Sequence, residues 1–193
     1  MGSLPAALPP FTLVTGNRDK RAEAERILGA AVDCADEDLP EIQSLDLREV
    51  LLAKGREAWR RLRRPLVVEE TGLELAALNG FPGPLVKWLL QAVGAEGIAR
   101  LAIAANDPGV AARCALAYTA DGVSFVVAEG VTAGTLVLPP RGGHGFGWDP
   151  VFQPAGETRT YAELPAATKD EIGHRGRAWR ALTLALGAAE ARS

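Results

Sequence analysis

The segment Pro65-Leu-Val-Val-Glu69 places the strongest constraint on what this chain can fold into. Its apolar run is typical of a strand buried on both faces of a sheet, and we expect the strand to break at Glu70-Thr71-Gly72. A sheet covered on both faces needs helices packed against it, so the run favours an α/β fold. Carboxylates at the end of such a buried strand are candidates for a chemical role.

The rest of the chain predicts a mixed sheet. Strands are predicted at 11–15, 31–35, 65–69, 113–119, 124–128 and 132–138, with 73–78 a candidate continuation of the third. Helices are predicted after residue 17 and at 46–63, 85–93, 95–104 and 169–188. Asp121-Gly122 is a hairpin signal, so antiparallel pairs must be present. We expect the early strand-to-helix turn to face the Gly-rich loop 139–150 across a cleft.

Composition narrows the classes of protein that remain. The Pro-rich residues 1–10 predict a flexible leader, and 11–193 predict one domain. A net charge of -3 gives no overall reason to bind nucleic acid or a membrane surface. We see no signal peptide and no apolar run near the roughly 20 residues of a membrane helix. Cys34 and Cys114 lack metal-site spacing and are interpreted as free thiols of a cytoplasmic protein.

The turn Thr15-Gly16-Asn17, followed by Lys20, has the composition of a phosphate site. Free N–H groups and the positive end of the helix dipole attract anions at a helix N-terminus, and a glycine lets the anion approach the backbone. An ordinary capped turn with a solvated lysine is the alternative. The spacing is not that of a Walker loop.

Three carboxylates and two lysines extend this candidate site. Glu41, Glu69 and Glu70 carry the hard oxygen ligands that Mg²⁺ prefers, although solvated surface carboxylates would look the same in sequence. Lys54 lies on the apolar stripe of its helix and should point inward, either for function or as a snorkelling side chain. Lys87 enters a helix where its ammonium group can reach phosphate.

The segment Gly145-Phe-Gly-Trp-Asp-Pro150 has the composition of a nucleobase site. Flat aromatic rings stack on bases, and fixed polar groups read base edges. His174 and Arg175 can donate hydrogen bonds to a keto oxygen. The alternatives are a core-packing turn for the aromatic segment and a solvated helix end for His174 and Arg175.

Taken in order, these segments resemble the inosine triphosphate pyrophosphatase family, also called the non-canonical purine or dITP/XTP pyrophosphatases. The resemblance covers nearly the whole chain. The matching motifs are Thr15-Gly-Asn17 with Lys20, Pro40-Glu41, Lys54, Val68-Glu-Glu-Thr-Gly72, Gly80-Phe-Pro-Gly-Pro84 with Lys87-Trp88, Phe146-Gly-Trp-Asp-Pro150, and Lys169 with His174-Arg175.

The resemblance implies a two-lobed α/β fold with a mixed sheet, a central cleft and a homodimer. It implies a Mg²⁺-dependent enzyme that splits ITP, dITP or XTP into the monophosphate and pyrophosphate, and so cleans the nucleotide pool. By that similarity Thr15, Asn17, Lys20 and Lys54 bind phosphates, and Lys20, Lys54 and Glu70 are catalytic. Glu41 and Glu70 are the metal carboxylates, and the base and sugar side is formed by Lys87, Phe146, Trp148, Asp149, Lys169, His174 and Arg175. Gly16, Thr71 and Gly147 also bind substrate.

Two positions depart from the family pattern. Glu70 replaces an aspartate, and Gly173 replaces a serine before His174-Arg175. The longer carboxylate shifts its oxygens by about 1 Å, which can cost on the order of a hundredfold in rate. Two alternatives therefore stay open, namely a nucleotide-binding or regulatory relative with weakened catalysis and a pyrophosphatase for another modified nucleotide.

Overall fold

The computed structural model describes residues 8–190, which form a mixed sheet with helices on both faces. The strands are β1 (Thr12–Val14), β2 (Asp33–Ala35), β3 (Leu66–Leu75), β4 (Pro82–Gly83), β5 (Gly109–Thr119), β6 (Val126–Leu136) and β7 (Phe152–Pro154). The helices are α1 (Arg18–Leu28), α2 (Leu47–Leu62), α3 (Val86–Ala104), α4 (Ala166–Ile172) and α5 (His174–Glu190). Three short 3-10 turns span Ala76–Leu78, Asp149–Val151 and Tyr161–Glu163.

The sheet combines parallel and antiparallel pairs, which confirms the predicted fold class. Its order is β2-β1-β3-β5-β6-β7, and β4 pairs with β3 beside this path. β1 runs parallel to β2 and β3, as strand-helix-strand connections require, whereas β3, β5, β6 and β7 pair antiparallel. The predicted hairpin turn lies between β5 and β6, where the Asp121 carboxylate accepts the backbone N–H groups of Val123 and Ser124.

Local capping explains where the first two helices begin and end. The Asn17 side chain accepts the N–H groups of Asp19 and Lys20 at the start of α1. α1 ends at Gly29, whose φ of 67° is the left-handed conformation that glycine adopts without strain. Asp46 caps α2 in the same way, through the N–H groups of residues 48 and 49.

β3 is longer than the sequence predicts. The expected break at Glu70-Thr71-Gly72 was wrong, because β5 pairs with β3 continuously from Leu66 to Leu75. Gly72 is required inside the strand: a Cβ there would lie 3.0 Å from the backbone carbon of Gly83 on β4. The glycine therefore permits a close backbone approach within the strand.

β3 sends alternate side chains to opposite faces of the sheet. Val67 packs in the cluster that includes Leu13, Leu116 and Trp179, on the face covered by α1 and α5. Val68 packs with Leu51 in the cluster beneath α2. Because successive side chains of a strand point to opposite faces, Glu69 lies on the same face as Val67, and Glu70 lies on the same face as Val68.

Other boundaries were wrong by small, explicable amounts. The two strands predicted at 124–128 and 132–138 are one strand, β6, in which Gly130 lets α5 approach: a Cβ there would meet the His174 carbonyl oxygen at 2.1 Å. The closing helix divides into α4 and α5 at Gly173, where the backbone is extended. A Cβ at Gly173 would lie 2.4 Å from the Lys169 carbonyl oxygen, so this packing leaves no room for the serine of the family pattern.

Two predicted helices, 85–93 and 95–104, form the two halves of α3. Gly94, with φ of 69° and ψ of 174°, separates them as expected. The predicted leader lies outside the described residues up to position 7, and Leu8 packs against the cluster that contains Trp179. Each helix within residues 8–190 is too short or too polar to cross a membrane.

Candidate active site

A cleft of about 730 Å³ brings together most of the predicted site residues. Twelve of them line it: Thr15, Gly16, Asn17, Lys20, Glu41, Lys54, Glu70, Thr71, Lys87, Phe146, Gly147 and Trp148. The early turn after β1 and the late Gly-rich loop thus face one cavity, as predicted. Four others, Asp149, Lys169, His174 and Arg175, line an adjoining pocket of about 10 Å³ with Phe146 and Trp148, and Glu69 lines neither of these two cavities.

The turn after β1 forms one end of the cleft. The Thr15 hydroxyl accepts the Asn17 N–H at 3.1 Å, and Asn17 accepts the N–H groups of Asp19 and Lys20. The expected free N–H groups at this helix end are therefore partly used by the cap, and the positive charge that faces the cleft is the Lys20 ammonium group. A Cβ at Gly16 would lie 2.2 Å from the carboxylate of the exposed Asp36 side chain, which would have to move to make room for it.

Lys54 and Glu70 form the centre of the cleft. Lys54 Nζ lies 2.6 Å from Glu70 Oε1 and 3.7 Å from Glu41 Oε1, and it points inward as its helix position predicts. Burial lowers the pKa of Lys54, but the charges of Glu70 and Glu41 outweigh burial and raise it. The lysine therefore stays protonated beside its carboxylates.

Glu69 occupies the opposite face of the sheet from Glu70 and is buried with two cations. Both of its carboxylate oxygens accept from Arg175 Nε at 3.1 Å, and Oε1 also accepts from Arg175 Nη2 at 2.9 Å. Lys20 Nζ lies 3.2 Å from the same Oε1. Because its oxygens already bond these cations, Glu69 is a poor metal ligand. The sequence had allowed Glu69 as a candidate Mg²⁺ ligand.

Glu69 is one member of a buried row of charges that alternate in sign. The row runs Lys20, Glu69, Arg175, Glu23, Lys169, Asp149. Lys169 Nζ donates to Glu23 at 2.8 Å and to Asp149 at 2.5 Å, and Asp149 also accepts the Phe146 N–H at 2.8 Å. Three cations balance three carboxylates, which allows five of the six to be buried, Lys20 remaining partly exposed.

Glu23 is a residue that sequence reasoning missed. It is 5% exposed and bonds both Lys169 and Arg175. Its spacing of three residues from Lys20 was the available signal, because such a pair lies on one helix face. A carboxylate on the face that also carries the buried Ala24 would have marked it.

The small pocket is lined by buried polar side chains. His174 and Arg175 are both 3% exposed, which excludes the solvated helix end considered above. Burial, with the charges of Arg175 and Lys169, holds the pKa of His174 well below its usual value, so the imidazole is neutral. Trp148 Nε1 and His174 Nδ1 have no hydrogen-bond partner among residues 8–190.

Arg175 keeps donors for a ligand despite its two carboxylates. A guanidinium has five N–H donors. Nε and Nη2 each use one hydrogen to bond Glu69, and Nη1 uses one to bond Glu23. About two of the five N–H groups therefore remain for a ligand. Because the carboxylates hold the planar guanidinium group on one side, its remaining N–H groups point in a fixed direction.

Glu41 and Glu70 fit a magnesium ion held jointly with substrate. Both carboxylates lie within 4 Å of the same ammonium group, Lys54 Nζ, so they face one point in the cleft. In the described part of the chain, no group of three or more His, Cys, Asp or Glu side chains is placed to hold a metal alone. Magnesium usually takes one or two carboxylates and completes its shell with phosphate and water oxygens, which suits this pair.

Comparison with known proteins agrees with the geometry. Residues 11–185 match the model of the Ham1 family. An inosine triphosphate pyrophosphatase of Batrachochytrium dendrobatidis is 41% identical over 168 residues, which is 86% of this chain and 87% of the relative.

Two solved structures share the fold. A HAM1 protein of Coxiella burnetii has a TM-score of 0.77 and 26% identity, over 95% of this chain and all of that one. A structure described as a nucleoside-triphosphatase or dITP/XTP pyrophosphatase of Mycobacterium abscessus has a TM-score of 0.68 and 31% identity, over 90% of this chain and 98% of that one.

Proposed function

Because the chain belongs to the Ham1 family, we propose that it hydrolyses ITP, dITP and XTP to the nucleoside monophosphate and pyrophosphate. The names of its relatives, an inosine triphosphate pyrophosphatase and a dITP/XTP pyrophosphatase, support this reaction. The observation that carries the proposal is one cleft lined by three ammonium groups, five carboxylates and three aromatic side chains. Lys20, Lys54 and Glu70 form its polyphosphate side, and Phe146 and Trp148 form its base side.

The phosphate side performs the chemistry. A water molecule attacks the α-phosphorus, its proton passes to the Glu70 carboxylate, and the bond from the α-phosphorus to the bridging oxygen breaks. Pyrophosphate leaves with the electron pair of that bond. Lys20 and Lys54 neutralise the charge that develops on the transferring and leaving oxygens, which is the main demand of phosphoryl transfer.

Glu41 and Glu70 would hold Mg²⁺, which supplies further charge neutralisation on the triphosphate when bound. Lys54 starts 2.6 Å from Glu70, so it is already beside the group that receives the proton. A triphosphate entering the cleft competes with Glu70 and Glu41 for the Lys54 ammonium group. Substrate binding therefore releases the Glu70 carboxylate from Lys54, so that it can accept the proton of the attacking water.

The base side selects the substrate. A 6-oxo purine presents an acceptor, and the free N–H groups of Arg175 and the unpaired Trp148 Nε1–H are donors. Adenine presents an amino donor in the same place, which leaves buried donors unpaired, at a cost of about 1–3 kcal/mol for each such group. The cleft should thus favour ITP over ATP.

Three further features belong to the proposal. Residues 11–193 act as one two-lobed domain. Two copies of the chain form a homodimer, and sedimentation analysis tests this oligomeric state. Because the substrates belong to the nucleotide pool, we place the enzyme in the cytoplasm, which fractionation of cells tests.

Product analysis tests the function directly. Purified protein is incubated with ITP, XTP, dITP, GTP or ATP, with Mg²⁺ or with EDTA, and the products are identified by chromatography. We expect IMP or XMP with pyrophosphate from the first three substrates, dIMP in the case of dITP, and none with EDTA. Release of orthophosphate or preference for ATP contradicts the proposal. Nucleotide binding without turnover would instead support a regulatory protein. Preference for another modified base would support a pyrophosphatase for a different class of nucleotide.

A further inference from the structure

Glu69 connects the two sides of the cleft through one carboxylate. Its Oε1 lies 3.2 Å from Lys20 Nζ, on the phosphate side, and 2.9 Å from Arg175 Nη2, on the base side. Lys20 lines the large cleft, and Arg175 lines the small pocket. A displacement of this oxygen therefore moves a phosphate-binding cation and a base-reading cation together.

Stability alone does not explain an ionised group at this position. The Glu69 side chain is 1% exposed, and a buried ion pair is often no more stabilising than apolar residues of the same volume. Two cations lie beside the carboxylate and stabilise its ionised form, Arg175 Nη2 at 2.9 Å and Lys20 Nζ at 3.2 Å. The carboxylate is thus kept charged, deep in the protein, beside two groups that face substrate.

Glu69 and Glu70 point to opposite faces of the sheet and therefore contact different groups. Glu70 points to Lys54 and the cleft, whereas Glu69 points to α1 and α5, which carry Lys20 and Arg175. Arg175 is held bidentately, a geometry that fixes direction as well as distance. Lys20 has a long flexible side chain, and its ion pair with Glu69 restricts where the ammonium group can lie.

We propose that Glu69 is a positioning residue, which fixes Lys20 and Arg175 relative to each other and so couples phosphate binding to purine recognition. This role rests on the proposed function, since it requires a nucleotide that engages both cations. Glu69 lines neither the cleft nor the small pocket, so it would act on the substrate only through Lys20 and Arg175. Its loss should therefore act mainly on KM and on the choice of base, and less on kcat.

The test compares Glu69→Gln with the wild type and with Glu74→Gln. Glu74 lies on the same strand and pairs with Arg113 at 2.6 Å, away from the cleft, so it is a matched control. For Glu69→Gln we expect KM for ITP to rise about tenfold or more, kcat to fall by a smaller factor, and the ITP-to-ATP ratio of kcat/KM to fall about tenfold. Glu74→Gln should match the wild type.

Product inhibition separates the two halves of the site. Pyrophosphate reports the Lys20 side and IMP reports the Arg175 side, so Glu69→Gln should weaken inhibition by both. Lys20→Ala should weaken mainly pyrophosphate, and Arg175→Lys mainly IMP. Weakening of only one inhibitor by Glu69→Gln, or a loss of kcat with KM unchanged, would overturn the coupling.

A second variant covers the case in which Glu69→Gln does not fold, as thermal unfolding would reveal. Glu69→Asp keeps the charge but withdraws the oxygens by about 1 Å, so it should fold and show the same pattern more weakly. Wild-type KM, selectivity and inhibition in Glu69→Asp would then overturn the proposal. Failure of the wild type to release pyrophosphate from ITP is a different result, which removes the proposed function itself.

Discussion

Lys54 Nζ lies 2.6 Å from Glu70 Oε1, although the two residues belong to different elements, α2 and β3. The contact places the cation that would hold phosphate directly against the carboxylate that would accept a proton. The Glu70 charge keeps Lys54 protonated, because it outweighs the burial that alone would lower the pKa of Lys54. The ion pair therefore holds both groups in the cleft until a substrate competes for the Lys54 ammonium group.

Replacing Glu70 with glutamine should remove the proton acceptor while preserving the shape of the side chain. We expect kcat for ITP to fall about 100-fold or more, the usual scale for a lost general base, with nucleotide binding still measurable by calorimetry. Glu129→Gln, at a half-exposed glutamate of β6, is the control and should keep full activity. Undiminished turnover of Glu70→Gln would remove Glu70 from the proton transfer.

Replacing Trp148 with phenylalanine should affect nucleotide binding more than stability. The ring can still stack, and the Nε1–H that is lost has no hydrogen-bond partner among the described residues. We expect KM for ITP to rise about fivefold, as for one lost hydrogen bond, with little change in melting temperature. Trp179→Phe, in the fully buried core, should show the reverse, with a lower melting temperature and an unchanged KM. Equal effects of the two substitutions would contradict a binding role for the Trp148 indole N–H.

His174 should make the protein less stable as pH falls below about 6.5. Its pKa in the folded protein lies well below the ordinary value of 6.5, because burial and the charges of Arg175 and Lys169 disfavour the imidazolium. The unfolded chain binds the proton first, so the free energy of unfolding falls as pH drops from 6.5 toward the folded pKa. Melting temperature against pH should slope less in His174→Asn than in the wild type.

The chain supplies the matching control for this measurement in its other histidine, His144, which is exposed. His144→Asn should keep the wild-type slope. A wild-type slope in His174→Asn would show that other groups, such as buried carboxylates, govern stability in this pH range.

Gly72→Ala should destabilise the protein, because a Cβ at this position lies 3.0 Å from the backbone of Gly83. Overpacking against backbone costs about 1–3 kcal/mol, which urea unfolding can measure. Gly187→Ala is the paired test, since a Cβ there meets no atom of the described residues within 4 Å and Gly187 lies in α5. That substitution should stabilise the protein by about 0.5–1 kcal/mol through helix propensity. Similar effects at both glycines would contradict the close approach of β3 and β4.

Local signals predicted most of the fold. Asn17, Asp46 and Gly94 act within a few residues of themselves, so their capping and helix-interrupting roles can be read from sequence. The mixed sheet followed from strand composition and the hairpin signal at 121–122. The length of β3 was missed because pairing with β5, more than forty positions later, holds Glu70 to Gly72 in the strand.

The shared cleft was predicted, but the ion pairs around it were not. Glu69 and Arg175 are 106 positions apart, and Glu23 and Lys169 are 146 apart, so no local pattern connects them. Sequence placed Arg175 as a free donor at a helix end, whereas packing of α5 onto the sheet buries it against two carboxylates. Which of two adjacent glutamates faces the cleft depends on the register of β3, and register is a tertiary property.

The two-residue period of β3 also limits how this protein can change over generations. Inserting or deleting one residue between Leu66 and Glu69 would turn both glutamates through half a turn, so that each would meet the other's cations. A substitution on this strand changes one side chain at a time, whereas a change of one residue in its length exchanges the faces of both glutamates together. We therefore expect related sequences to keep the number of residues in this part of the strand.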